Sequence, residues 1–332
     1  MSHRTKRLLL LVVWVIPIAG VVWWATKQRA PTFPSTFGGI MALVGALALY
    51  AVATTMRSER WLQILRRSDV GDASRADAHA LVPIGYMGNN VLPARGGEVL
   101  RTFLLDGRVQ ATKRTILGTI LAERVLDAVA LGVILVVLAA DLLHRLPKPN
   151  EKLVLLGVGI AVALLLVAVV AFVRYRERLV FVLRALAPML APTKRLLSRF
   201  GLVLLVVSLL IWCVEASVYM AVGHAAGITL SIQDALAVVA FTNAASLIPA
   251  APGYIGTYDA AVVFSVGAVS TASHATILSY LLLLRFVLFI PITLVGLGLL
   301  AARYGGLSRI RAARAAARAD ATRADATAPA AA

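Results

Sequence analysis

Apolar residues gather along this chain in runs of bilayer length, separated by short basic links. Uninterrupted runs predict six full transmembrane helices, at about 8–25, 38–56, 115–140, 153–173, 201–223 and 276–302; about 18 to 20 apolar residues suffice to cross a bilayer. Two further apolar stretches, about 79–105 and 231–270, are broken near their middles by proline and glycine. The first carries LPARGGEVLR at 92–101, and the second carries LIPAAPGYIGTYDA at 247–260. A backbone broken at membrane depth survives only where protein or a water-filled cavity covers it. Each stretch is therefore predicted as a re-entrant hairpin that enters, turns at the midplane and leaves on the same side; the alternative is a kinked ordinary span. The predicted fold is an all-α polytopic membrane protein with six full spans and two re-entrant helical hairpins, about eight segments by hydropathy.

Composition agrees. Of 332 residues, 60% are apolar and 15% charged, against roughly 25% charged in soluble domains, and the mean hydropathy is +0.85. A soluble globular domain and a disordered chain are both excluded. A single cysteine, Cys213, excludes a disulfide framework and a cysteine-based zinc site. The five histidines show no metal-ligand spacing, so no metal and no cofactor is expected.

The net charge of +17 is explained by topology. Of the 33 Lys and Arg, 24 fall on one side of the predicted spans, in the N-terminus, the 57–80, 106–114 and 174–199 links and the tail. Five fall on the other side and four at membrane depth. This bias predicts an inner (plasma) membrane protein with both termini cytoplasmic, and it removes the need for a nucleic-acid partner. Residues 1–302 read as one transmembrane domain, and the Ala/Arg-rich 303–332 as a basic cytoplasmic tail without a core.

The two broken stretches resemble each other. Pro93-Ala94 aligns with Pro249-Ala250, and Gly97 with Gly253. Asn89 and Asn90 precede one, Asn243 the other, and a long span with an internal arginine follows each, Arg124 and Arg285. Three predicted spans separate them, an odd number. The halves, about 38–140 and 201–302, are thus predicted as an inverted repeat whose hairpins meet near the midplane, the place where transporter sites form.

Ionisable residues cluster there: Arg95, Glu98, Arg101, Glu123, Arg124, Asp127, Glu215, Asp259 and Arg285. An ionised group at the bilayer centre costs about 2.5–3.5 kcal/mol on insertion scales, so these must pair or line a polar cavity. Arg95, Glu98 and Arg101 are three apart and share a face if helical; Glu123 and Asp127 are four apart. Helices restarting after Gly96-Gly97 and after Pro252-Gly253 would point positive N-termini at the same place. Arg95 and Arg101 beside them would form a site for a phosphate or carboxylate, which an arginine fork grips with two hydrogen bonds. Loss of lipid transfer is then expected on Arg101→Ala. Tyr254 and Tyr258 are further headgroup candidates. The competing reading is a set of ion pairs that only fixes helix packing.

YMGNNVLPARGGEVLR at 86–101, LAERVLDAVAL at 121–131 and NAASLIPAAPGYIGTYDAAVV at 243–263, with Arg285 in the last span, resemble the flippase-like family of the lysylphosphatidylglycerol synthase transmembrane region. The resemblance covers about 8–302. It implies movement of a modified or glycan-linked lipid between leaflets, and it carries over Asn90, Pro93, Arg95, Gly97, Glu98, Arg101, Glu123, Arg124, Asp127, Pro249, Pro252, Gly253, Gly256 and Arg285 as motif positions. No aminoacyl-transferase domain follows the last predicted span, so lysine transfer is not expected of this polypeptide. The expected function is translocation or binding of an anionic phospholipid or polyprenyl-phosphate-linked sugar, without catalysis. The alternatives are a membrane-embedded lipid-phosphate enzyme and a non-transporting partner of cell-envelope glycosyltransferases.

Overall fold

The computed structural model describes residues 34–68, 70, 73–92, 95–145, 189–246 and 252–305. The predicted spans at 8–25 and 153–173, the tail from 306 onward, and Pro93 and Pro249 lie outside the described residues. Among the described residues there are no strands; besides a helical segment at 189–194 there are eight α-helices with described bounds: α1 (Phe37–Arg66), α2 (Arg75–Val91), α3 (Gly96–Asp106), α4 (Lys113–Arg145), α5 (Arg199–Ala225), α6 (Ile232–Ala245), α7 (Thr257–Val269) and α8 (His274–Tyr304). A 3-10 turn, Pro252–Tyr254, joins α6 to α7. Helices α1, α5 and α8 are long and apolar enough to cross a membrane. The predicted span at 115–140 is helix α4, of 33 residues, with Glu123, Arg124 and Asp127 inside it.

Local chemistry sets the helix starts. Thr36, Ser74, Ser231 and Ser273 each accept a backbone N–H with their hydroxyl oxygens, satisfying donors that a helix start leaves free. The two broken stretches are helix–break–helix, as the proline and glycine positions predict. Helix α2 ends on Leu92, which is extended; a residue before proline is pushed out of the helical region. Arg95 then adopts the left-handed conformation, φ 55°, and α3 starts at once. In the second break Gly253, Tyr254 and Gly256 all have positive φ, and the Asp259 carboxylate caps α7 by accepting the Gly256 N–H at 2.9 Å.

Each broken pair closes on itself as a hairpin. In the first, a Cβ on Gly88 would lie 2.5 Å from the Gly97 Cα. Gly97 donates its N–H to the Asn89 Oδ1 at 3.0 Å. Only glycine permits backbones this close. In the second, Phe241 of α6 stacks on Phe264 of α7, centroids 5.4 Å apart. The order long helix, broken hairpin, long helix occurs twice, as α1–α4 and α5–α8. Helix α1 packs along α5, and α8 along α2, where Gly296 leaves room for Met87. Helix α1 continues to Arg66 rather than ending near 56, so Arg57 and Arg60 are not loop residues. Both are buried, and the expected placement of these two in a cytoplasmic link is corrected.

Candidate functional site: a charged cavity where the hairpins meet

The tips of the two hairpins touch. Arg95, at the first break, donates to the Ser246 carbonyl at 2.8 Å, and its guanidinium lies 5.7 Å from the centre of the Tyr254 ring in the second break. Arg95 and Tyr254 are also the two non-glycine residues with positive φ among the described residues. Strain of this kind collects where surrounding structure holds a segment in a required shape.

Behind the tips is a cavity of about 360 Å³. Arg95, Glu98, Arg124, Asp127, Arg57 and Glu215 supply its charged lining. Asn89, Asn90 and Asn243 add amides, and Asn90 is held by donating to the Thr293 hydroxyl at 2.9 Å. Tyr254 and Tyr258 also line it. Tyr258 is buried and hydrogen-bonded to Tyr219 at 3.0 Å.

The charges form one network and one separate pair. Arg124 reaches Glu98 at 3.5 Å, Glu123 at 3.9 Å and Asp127 at 3.6 Å. Arg60 pairs with Asp127 at 2.6 Å and Glu123 at 3.5 Å. Arg57 pairs with Glu215. Arg101 pairs with Glu123 at 3.1 Å and lies over the Trp61 ring at 3.9 Å. Five arginines thus meet four carboxylates. The odd one is Arg95: among the described residues it faces a carbonyl and a ring, and no carboxylate.

Several expected site residues take other places. Arg101 and Glu123 are buried and do not line the cavity; they form structure behind its wall. Arg285 and Asp259 do not line it either. They pair at 2.7 Å, and Arg285 donates to the Gly253 carbonyl at 2.6 Å, so this pair braces the second break. Gly96, Gly97, Pro252, Gly253 and Gly256 lie in the two breaks or at the restarts beside them, as the sequence predicts. Arg57, Arg60 and Trp212 are new members. The one sequence signal for them was indirect: Glu215, alone in an apolar span, needed a cation.

The fold and cavity define a multi-pass helical membrane protein in which two broken hairpins close over an internal charged chamber. The chain belongs to the lysylphosphatidylglycerol synthase TM region family, which it matches over residues 8–296. No curated protein and no solved structure matches it.

Proposed function

We propose that the protein binds the phosphate of an anionic membrane lipid, a phospholipid or a polyprenyl-phosphate-linked sugar, at Arg95 and carries it across the membrane. The observation that supports this most is the surplus cation at the hairpin junction. A phosphate docking there meets a guanidinium that no carboxylate among the described residues holds, beside the start of α3 whose N-terminus favours an anion. The hairpins are read as re-entrant, and the two four-helix units as the halves that move against each other. The basic bias of the links survives the transfer of Arg57 and Arg60 to the interior, and it favours cytoplasmic termini in the plasma membrane.

The reading is of a carrier rather than an enzyme. Glu98, Asp127 and Glu215 are each engaged by an arginine, and on this reading they serve to hold those arginines. The test is fluorescent phosphatidylglycerol translocation in proteoliposomes, followed by bleaching of outer-leaflet probe. Transfer should fall at least about ten-fold in a folded Arg95→Gln protein, the effect of about 1.4 kcal/mol. Transfer at the wild-type rate in that variant refutes the site. Phosphate released from farnesyl diphosphate by the wild type instead identifies an enzyme.

A further inference from the structure

The cavity has a second polar wall that a phosphate at Arg95 does not use. It is formed by α1, α2 and α5, and its centre is Trp212. This indole is 4% exposed and lines the cavity, yet its Nε1–H has no hydrogen-bond partner among the described residues. A buried donor left without an acceptor lowers stability, and native structures seldom tolerate one without a use. Arg57 lies over the Trp212 ring, 5.1 Å from its centre. The ring face is therefore taken, and what the indole has left to offer is its N–H edge.

The surroundings fix what this edge would meet. Arg57 is itself paired with Glu215, so the wall carries no net charge and does not call for a second ion. Tyr50 and Tyr86 line the same space, and their hydroxyls make no hydrogen bond among the described residues. The wall is neutral, aromatic and rich in donors. A group that fits it is uncharged, compact and able both to donate and to accept, which describes hydroxyls on a small carbon skeleton. At about 360 Å³ the chamber lies within the size range of small-molecule sites, far larger than a phosphate needs.

We propose that Trp212, with Tyr50 and Tyr86, forms a second subsite that reads a hydroxyl-bearing group esterified to the phosphate held at Arg95, a sugar or a glycerol. This rests on the reading of Arg95 as the phosphate site. The wall then discriminates among lipids that share the same phosphate and the same tails, and Trp212 is its specificity-determining residue.

The experiment uses the full chain in lipid nanodiscs and three phosphodiester probes of equal charge: farnesyl methyl phosphate, farnesyl phosphoglycerol and farnesyl phosphoglucose. Dissociation constants are measured by titration calorimetry. One hydroxylated probe should bind the wild type about ten-fold more tightly than the methyl diester, as one or two added hydrogen bonds allow. That excess should drop below about two-fold in Trp212→Phe, which keeps a ring under Arg57 but removes the N–H. Tyr50→Phe and Tyr86→Phe should reduce it in part. Arg95→Gln should weaken all three probes together and preserve their ratio. Preference for the glucose probe assigns a glycolipid, and preference for the glycerol probe a phospholipid; either supports the subsite. Equal binding of the three probes by the wild type overturns it. So does an excess that persists through Trp212→Phe and both tyrosine variants. Failure of every probe to bind the wild type overturns the phosphate site itself, and is thereby distinct from failure of the second subsite alone.

Discussion

Two arginines six residues apart, Arg95 and Arg101, should fail in opposite ways. Arg101 is 3% exposed. Its one carboxylate partner among the described residues is Glu123 at 3.1 Å, and Glu123 is completely buried. Breaking a buried ion pair by removing one partner costs about 3–5 kcal/mol, because the other charge is left uncompensated. Arg101→Met keeps much of the packing against Trp61 and leaves Glu123 with Arg60 at 3.5 Å and Arg124 at 3.9 Å, so its cost should sit near the lower limit, about 3 kcal/mol. Glu123→Gln leaves Arg101 without a carboxylate and should cost about 5 kcal/mol. In the double variant neither group is stranded by the other, and about 2–3 kcal/mol of the sum should be recovered as coupling energy. Unfolding free energies from reversible detergent titration, followed by circular dichroism, give the four corners of the cycle. Additivity within about 0.5 kcal/mol would show that Arg101 and Glu123 are not a coupled pair. Arg95→Gln should unfold close to the wild type and lose the lipid probe, whereas folded Arg101→Met should retain it. Equal loss of probe in both folded variants refutes the division between a binding arginine and a structural one.

Three further outcomes follow from the packing. Gly97→Ala should separate the first hairpin, since its Cβ would run into the Gly85 carbonyl oxygen and meet the Asn89 Oδ1 at 2.7 Å and the Asn89 backbone nitrogen at 2.8 Å; because backbone must shift, a cost of at least about 3 kcal/mol from overpacking should appear as a lower melting midpoint on size-exclusion chromatography after heating. Asp259→Asn should cost about 1–3 kcal/mol by loosening both Arg285 at 2.7 Å and the α7 cap, measured by the same assay, and a wild-type midpoint refutes the brace. Arg75→Gln, which removes one partner of the exposed Arg75–Glu59 pair at 2.8 Å, should change stability by less than about 0.5 kcal/mol, as surface pairs do; a larger drop would show that this edge is more tightly built than its exposure implies.

The two breaks were legible because proline and glycine act locally. What marks the breaks is proline together with glycine: Pro83 and Pro291 alone are carried inside α2 and α8, whereas Pro93 and Pro252 stand near Gly97, which closely approaches Asn89, and Gly253, which has positive φ. The acids on α4 were legible for the same reason, since Glu123, Arg124 and Asp127 lie within one helical turn and their mutual contacts follow from the helix itself. The i, i+3 argument failed for Arg95 and Arg101 because it assumed a continuous helix. Arg95 is left-handed, so it stands outside the phase that orders Glu98 and Arg101. Glu98 turns to Arg124 and Arg101 to Glu123, while Arg95 turns the other way, to the second hairpin. Arg57 and Arg60 were hidden by a different effect. Basic residues just past an apolar run are usually interfacial, and only the continuation of α1 through Trp61 and Leu65, both fully buried, shows that this run had not reached the surface.

The partners of Arg95 suit a carrier better than a carboxylate would. If a glutamate held Arg95, an incoming phosphate would have to displace it and leave a buried carboxylate unpaired, at a cost comparable to breaking any other ion pair in the network. A carbonyl and a ring face stabilise the empty guanidinium without creating that penalty. The Ser246 carbonyl can give up its hydrogen bond to water, and the Tyr254 ring loses only a cation–π contact worth about 0.5–2 kcal/mol. A phosphate bound there, as proposed, would compete against weak partners, while the four carboxylates would remain neutralised by the four other arginines. The same contact joins the two hairpins. Taking up a headgroup at Arg95 weakens the link between the tips, so binding would couple directly to their separation. Arg95→Lys tests this step: a lysine keeps the charge but loses the planar fork. Lipid binding should persist at reduced affinity in that variant. Translocation should be retained if release of the tips is the essential event, and abolished if bidentate grip is.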